Sequence, residues 1–249
     1  MIAVPLRFIF PKKCIFCGQA LSVGEPIDIC GACAAKIPYF AGEYLFESGK
    51  AGSVKTCNRI ICALTYTDFV RKTISGYKFY DRREYGLTLA AILCERISRA
   101  EGLTSGRQSF DFITCVPLSR ERQRERGYNQ AAILAGFVAR HLGLPFFGKL
   151  LTREEHTLRQ SALRRNERHA NVQSAFGIDA KRTGKFISAI KNDANLTDDN
   201  IADNNLLHGM KIILIDDVAT SMATINACAA TLKAGGASEV VGAVLAAPQ

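Results

Sequence analysis

From Arg59 to the end of the chain, short apolar runs alternate with segments that carry apolar residues at helical spacing. The predicted strands are 59–66, 110–117, 145–151, 211–215 and 238–247, and the predicted helices are 69–79, 83–98, 128–143 and 223–236. Strands that alternate with helices pair mostly in parallel, because each helix carries the chain back across a face of the sheet. The sequence therefore predicts an α/β fold, a mostly parallel sheet with helices on both faces.

The composition is that of a globular protein rather than a membrane protein. Of the 249 residues, 48% are hydrophobic and 22% are charged. No apolar run approaches the roughly 18 residues that a membrane helix needs. Pro5, Arg7 and Pro11 interrupt the apolar N-terminus, which also lacks the basic region that begins a signal peptide. We therefore expect a cytoplasmic protein without membrane insertion.

One segment ahead of the strand at 211 has a different composition from the rest. Residues 192–205 hold four Asp and five Asn and no basic residue. Such a segment buries too little apolar surface to offset the entropy lost on ordering. We expect a flexible insertion at about 181–208 that acts as a spacer rather than as a site.

Four of the nine cysteines form two C-x2-C pairs separated by twelve residues. These are Cys14, Cys17, Cys30 and Cys33. Each two-residue gap lets a tight turn direct both thiolates at one ion, and four thiolates leave no position open for water. We predict a structural zinc in a zinc-ribbon-like module over residues 1–58, followed by the main domain over 59–249. The remaining cysteines are interpreted as buried packing residues, namely Cys57, Cys62, Cys94, Cys115 and Cys228.

The chain carries a net charge of +9, and much of it lies between residues 116 and 170. This stretch holds eleven Lys and Arg against five Asp and Glu, a net of +6. Two interpretations stay open. The stretch forms a surface for phosphates, on a small molecule or a nucleic acid, or it forms a solvated, salt-bridged helix face, because 120–126 alternates in charge.

The strand predicted at 211–215 ends at two acids, and a loop rich in hydroxyls follows them. In an open parallel sheet, ligands bind beyond the carboxyl ends of the strands. The N-terminus of the next helix offers free backbone N–H groups to a phosphate, and hydroxyls in the loop can donate to the same anion. Asp216 and Asp217 would repel phosphate, so vicinal ribose hydroxyls or Mg²⁺ suit them better. The pattern indicates a ribose-5-phosphate site. The alternative, simple capping of a turn and a helix, needs one acid rather than two.

The stretch IILIDDVATSMAT resembles the phosphoribosyl-pyrophosphate (PRPP) signature of type I phosphoribosyltransferases. Together with the cysteine module, Lys78-Phe79, VPLSRERQRERGYNQ (116–130) and RQSALRRNERHANVQSAF (159–176), it extends the resemblance over nearly the whole chain. The chain resembles the ComF/GntX family of competence-associated proteins, which join a zinc ribbon to such a domain. The resemblance implies a sheet of the type I phosphoribosyltransferase kind, PRPP or a nucleotide as ligand with Mg²⁺, and a part in DNA uptake. Single-stranded DNA and proteins of the competence machinery are the implied partners.

The resemblance also implies roles for individual residues. Asp216 and Asp217 would bind the ribose hydroxyls and, with Arg120, are the catalytic candidates. The loop after Val116 would hold pyrophosphate, and residues 159–171 would form a mobile hood. The candidates for binding phosphate or PRPP are Pro117, Leu118, Ser119, Lys78, Arg164, Arg168, Thr220, Ser221, Met222, Ala223 and Thr224. The candidates for binding nucleic acid are Arg120, Arg122 and Arg126.

Two of these assignments have alternatives. Lys78 either reaches a phosphate or remains a surface lysine whose stem packs on apolar surface. Each arginine is either a phosphate ligand or a solvated charge.

Met222 departs from the family's pattern, because the phosphate loop normally has glycine at this position. Glycine permits a positive φ or a close approach of the backbone, for which another residue costs about 1–2 kcal/mol. We therefore predict weakened PRPP binding, or a loop redirected to another phosphate. Two classes of function stay open: a phosphoribosyltransferase or PRPP-binding protein, and a non-catalytic protein that handles single-stranded DNA on the same fold.

Overall fold

The computed structural model describes residues 11–22, 27–42, 46–47, 56–79, 82–100, 110–153, 176–191 and 205–248. The predictions for Arg164, Arg168 and the hood at 159–171 lie outside these residues, as do those for 192–204. Within the described ranges, the helices are all too short or too polar to cross a bilayer.

A parallel sheet forms the centre of the molecule. The strands are β1 (Phe46–Glu47), β2 (Arg59–Thr65), β3 (Phe112–Cys115), β4 (Leu151–Arg153), β5 (Phe176–Ile178), β6 (Lys211–Val218) and β7 (Glu239–Ala247). The order across the main sheet is β1-β2-β7-β6-β3, and β4 pairs with β5 separately. β1 is antiparallel to β2, whereas β2, β7, β6 and β3 run parallel. The carboxyl ends of these four strands therefore share one edge, called the carboxyl edge below.

Helices cover both faces of this sheet. They are α1 (Gly31–Ala34), α2 (Asp68–Phe79), α3 (Tyr85–Arg99), α4 (Arg120–Arg126), α5 (Gln130–Leu142), α6 (Ala180–Lys191) and α7 (Ala223–Ala234). On one face, Ile213 of β6 packs in a core with Leu93 of α3 and Leu134 of α5. On the other face, Leu214 packs in a core with Leu232 of α7. The predicted α/β architecture is confirmed.

The central strand β6 is longer than predicted. Ile212 to Ile215 are buried, as expected for a parallel strand covered on both faces. The pairing with β7 continues through Asp216, opposite Val244, to Val218, opposite Ala246. Because side chains alternate along a strand, the two aspartates point to opposite faces of the sheet.

The strand predicted at 145–151 is wrong in most of its length. Phe146 forms a single parallel bridge to Ile113, and the chain then turns at Gly148 before β4 begins. A Cβ at Gly148 would lie 2.7 Å from Cζ of Phe146, so a larger residue in this turn would displace that exposed ring. The apolar run reads as one strand but contains this turn.

The structure also corrects the start of the insertion expected at 181–208. Helix α6 occupies its first eleven residues, and Ile187 of this helix is buried in the core. Asp179 caps the helix by accepting from the Arg182 N–H at 3.0 Å. The predicted insertion therefore begins too early. Its acidic composition is confined to 192–205, and the residues before it carry apolar side chains at helical spacing.

The five cysteines outside the C-x2-C pairs are buried, as predicted. Burial raises the pKa of the Cys57, Cys62 and Cys115 thiols to about 12, so these remain thiols at neutral pH.

Candidate functional site

The four predicted zinc ligands converge on one point. The sulfurs of Cys14, Cys17, Cys30 and Cys33 all lie within 4.8 Å of one another, and those of Cys17 and Cys30 are 3.7 Å apart. Thiolates at the usual Zn–S length of about 2.3 Å sit about 3.8 Å apart around a tetrahedron. Gly18 closes the first turn with φ of 77°, and its N–H donates to the Cys14 carbonyl. The donor set fits a structural zinc.

The cysteine module packs directly on the main domain. The ring of Phe16 stacks on Phe69 of α2, with centroids 4.7 Å apart. The Thr73 hydroxyl donates to the Ile15 carbonyl at 3.4 Å, so a second position of α2 also contacts the module. The module and α2 share one apolar core. The domain boundary at residue 58 stays a prediction.

At the carboxyl edge, the two aspartates of β6 occupy different environments. Asp217 is 8% exposed and accepts a hydrogen bond from Lys78 Nζ at 2.9 Å. Asp216 lies on the face covered by α7 and accepts from the Asp217 N–H at 2.8 Å. The acids are neighbours in the chain, but each has its own set of partners.

The carboxyl of Asp216 titrates near neutrality. Burial, and next the charge of Asp217, raise the pKa of Asp216 to about 7. The Asp217 N–H and the charges of Lys78 and Arg153 act in the opposite direction but are smaller.

Lys78 is a partly buried, ion-paired residue rather than a surface lysine. Its side chain is 16% exposed. Two hydrogen bonds fix the preceding residue: the Tyr77 hydroxyl donates to the Gln130 carbonyl at 3.0 Å, and the Tyr128 hydroxyl donates to the Tyr77 carbonyl. The end of α2 is thus fastened to the start of α5, with its lysine directed at β6.

The loop between β6 and α7 has the backbone that a glycine would adopt. Among the described residues, the non-glycine position with positive φ is Met222, at φ 57° and ψ −2°. Met222 is the N-cap of α7, and its side chain packs at the edge of the core. Thr220 and Ser221 are exposed and Thr224 is half-buried. In the described part of the chain their hydroxyls make no hydrogen bond, so they are not used as caps.

The loop after Val116 leads into a short exposed helix. The hydroxyl of Ser119 caps α4 by accepting from the Arg122 N–H at 3.3 Å. Arg120 and Arg122 are exposed. Arg126 differs from them: its guanidinium lies 4.8 Å from the Phe79 ring centroid and donates to Gln130 Oε1 at 3.1 Å. Of the three arginines grouped by sequence, two face solvent and one packs against α2 and α5.

Asn129 has the capping role expected for the start of α5. Its side-chain oxygen accepts from the N–H groups of Ala131 and Ala132, at 3.0 and 3.4 Å. Its amide donates to the Val116 carbonyl at 3.0 Å, which ties α5 to the carboxyl edge.

The sequence did not single out Arg153, whose charge acts on Asp216. It ends β4, its charge lowers the pKa of Asp216, and its guanidinium lies 5.4 Å from the Phe176 ring centroid. No local motif marks this position, because its partner lies more than sixty residues further along the chain.

Comparison with known proteins finds a zinc ribbon domain and several relatives that are named competence or DNA utilization proteins. A double zinc ribbon domain matches residues 5–49, which contain the four-cysteine cluster. Competence protein F of Haemophilus influenzae is 25% identical, over 93% of this chain and 95% of the relative. DNA utilization protein YhgH of Salmonella typhi is 26% identical, over 91% of this chain and 80% of the relative. Competence protein ComFC of Bacillus subtilis is 28% identical, over 89% and 85%.

Among solved structures, the glutamine PRPP amidotransferase from B. subtilis, complexed with ADP and GMP, superposes with a TM-score of 0.38 at 13% identity. The match covers 69% of this chain and 30% of that chain. The chain is a homologue of competence protein F, ComFC and YhgH, with an N-terminal zinc ribbon joined to a mostly parallel α/β domain.

Proposed function

We propose that this chain binds a ligand with a ribose 5-phosphate group, PRPP or a nucleotide, at the carboxyl edge of β6. The observation that carries the proposal is the left-handed backbone of Met222. The residue is not glycine, yet the loop makes the turn that a glycine would make. This turn leaves the first N–H groups of α7 free for an anion directly after the two acids.

The carboxyl edge offers both hydrogen-bond donors and acceptors. A sugar phosphate requires donors for its phosphate and acceptors for its hydroxyls. The hydroxyls of Thr220, Ser221 and Thr224 have no partner among the described residues and would donate to the 5-phosphate. The carboxylates of Asp216 and Asp217 would accept from the ribose hydroxyls. Because the two carboxylates face opposite sides of the sheet, one of them rather than both would hold Mg²⁺, which would supply charge neutralisation for pyrophosphate.

If the protein transfers the phosphoribosyl group, the bond between the anomeric carbon and pyrophosphate breaks and the leaving group carries away negative charge. Arg120 and Arg122 are the exposed cations nearest in sequence to the pyrophosphate loop. Arginine suits this role because its planar fork binds phosphate in two places. The side chain of Met222 adds bulk beside the anion and no donor, so binding is expected to be weaker than with glycine.

Calorimetric titration of the full chain with PRPP and Mg²⁺ tests the proposal. We expect saturable binding that Asp217→Asn weakens by tenfold or more, on the order of the energy of hydrogen bonds to a charged group. Asp68→Asn is the matched control, because this exposed aspartate on α2 pairs only with Arg71 of its own helix in the described residues. Met222→Gly should tighten binding by removing the bulk. No heat at millimolar PRPP in either the wild type or Met222→Gly would end the proposal.

A second candidate function is the handling of single-stranded DNA in uptake. Helix α4 supports it, because Arg120, Arg122 and Arg124 are exposed and make no ion pair to Glu121 or Glu125 within the described chain. The salt-bridged alternative for 120–126 therefore loses its main support. The relatives' names, competence protein and DNA utilization protein, point to the same process.

Fluorescence anisotropy with a labelled oligonucleotide separates this candidate from the first. Each phosphate contact that is lost should reduce the slope of log affinity against log salt by about 0.7 for a single strand. We expect a smaller slope for Arg120→Ala with Arg122→Ala, and an unchanged slope for the control Arg182→Ala on α6. A salt-independent affinity would contradict the DNA function and leave the sugar-phosphate proposal standing.

A further inference from the structure

Lys78 differs from its neighbour Lys72 on the same helix. Lys72 is exposed, whereas Lys78 is mostly buried with its ammonium 2.9 Å from Asp217 Oδ1. The two hydrogen bonds to Tyr77 hold the last turn of α2 against α5, so the ammonium is directed at β6 by the fold. Lys78 and its partner Asp217 are 139 residues apart in the sequence.

The same carboxylate that holds Lys78 is the one that a sugar hydroxyl or a metal ion would need. Asp217 has a side chain only 11% exposed, which leaves little room for a second cation beside the ammonium. Breaking such a pair by removing one partner leaves a buried charge uncompensated, which is strongly unfavourable. A ligand can therefore bind the Asp217 carboxylate only if it also provides a negatively charged partner for the Lys78 ammonium.

We infer that Lys78 is the counter-ion of Asp217 in the free protein and that the ligand displaces it. Binding of the ligand's sugar or metal at Asp217 and binding of its phosphate are then coupled through the Lys78 side chain. The sugar hydroxyl or the ligand's metal ion binds the Asp217 carboxylate. The released Lys78 ammonium then pairs with the ligand's adjacent phosphate. The inference rests on the proposed function for the class of ligand. It implies that the site prefers ligands in which a diol and an anionic group are neighbours, such as a 1-pyrophosphate of ribose, over ligands with the diol alone.

The first experiment uses Mn²⁺ alone, monitored by the electron paramagnetic resonance signal of the free ion, on the zinc-loaded full chain. Removing a unit positive charge next to two carboxylates should tighten Mn²⁺ binding by about tenfold or more. We expect this for Lys78→Met, whereas Lys72→Met and Lys78→Arg should bind Mn²⁺ as the wild type does. Equal affinities for the wild type and Lys78→Met would overturn the inference.

If Lys78→Met does not fold, the unmodified chain answers the same question. Saturation with Mn²⁺ should raise the rate at which Lys78 is acylated, measured by peptide mass spectrometry, because the ammonium loses its partner. Lys72 is the internal reference and should not change. An unchanged ratio of the two rates under Mn²⁺ would show that Lys78 is not displaced.

The second experiment compares PRPP with ribose 5-phosphate, each with Mg²⁺, by calorimetry. The wild type should prefer PRPP, and Lys78→Met should lose most of that preference while Lys72→Met keeps it. An identical preference in the wild type and Lys78→Met contradicts the inference. If no variant binds either ligand, the proposed function fails, and the Mn²⁺ titration still decides the role of Lys78.

Discussion

The cysteine cluster and the carboxyl edge of β6 are both sets of polar groups that lie at turns. The cluster is a closed set, whose groups all face one another, and the carboxyl edge is an open set, whose groups do not. In the cluster, four sulfurs face a single point and leave no ligand position free. At the carboxyl edge, Asp216 and Asp217 face opposite sides of the sheet, and the hydroxyls of the following loop have no partner in the described chain. A closed set indicates a structural role, and an open set indicates a binding role.

The largest effect that this comparison predicts is on removal of zinc. Without the metal, four thiols would crowd together and the module would lose its centre. We expect Cys33→Ser, or treatment with a chelator, to lower the free energy of unfolding by several kcal/mol, because structural zinc contributes its binding energy to folding. Calorimetric melting with and without chelator measures this.

The control is Cys94→Ser, a buried cysteine on α3 outside the cluster, whose melting temperature should fall on chelation by as much as that of the wild type. A Cys33→Ser protein that melts like the wild type would mean that the cluster holds no structural metal.

A smaller effect is expected from pH at the open set. The pKa of Asp216 is raised from 3.8 to about 7 in the folded protein. Between these values the folded state binds more protons than the unfolded state, so the free energy of unfolding falls as pH rises through this window and levels off above it. We expect Asp216→Asn to lose this pH-dependent decrease, which is at most about 4 kcal/mol for a rise in the pKa from 3.8 to about 7.

Urea unfolding at several pH values checks the prediction, with Asp68→Asn as the exposed control. A pH dependence that is the same in Asp216→Asn and the wild type would show that another group titrates in this range.

The smallest effect concerns α4, which has no buried residue and depends on its cap. Ser119→Ala should destabilise α4 by about 0.5–2 kcal/mol, because the Arg122 N–H loses its acceptor. Hydrogen exchange should rise locally at 120–126 and stay unchanged in the cysteine module. Equal protection of α4 in the variant and the wild type would mean that other contacts hold this helix.

Much of both regions could be predicted from local spacing. The two-residue gaps of the cysteine pairs determine where the thiolates point, and the apolar run before Asp216 marks a strand in the middle of a parallel sheet. The opposite orientations of the two aspartates were not predicted, because the strand was expected to end at 215 and the alternation of β6 continues through Asp216 and Asp217. For Met222 the sequence left two reasons for a glycine open, a positive φ or a close approach of the backbone, and the structure shows the positive φ.

The parts that sequence did not predict depend on contacts between distant residues. Lys78 meets Asp217 only because α2 ends above the carboxyl edge, and Arg153 acts on Asp216 from a separate two-stranded sheet. Arg126 has the same local pattern as Arg120 and Arg122, but the position of Phe79 turns it inward. Charge spacing alone cannot distinguish these environments.

Helix α2 joins the closed set to the open set, and this has a practical consequence for assays. Its start packs on the zinc module through Phe69, and its end presents Lys78 to Asp217 about 14 Å further along the helix axis. Protein purified with too little zinc would therefore show altered ligand affinity although the binding groups themselves are intact. Metal content has to be measured on each preparation before a weak affinity for sugar phosphates is attributed to Met222.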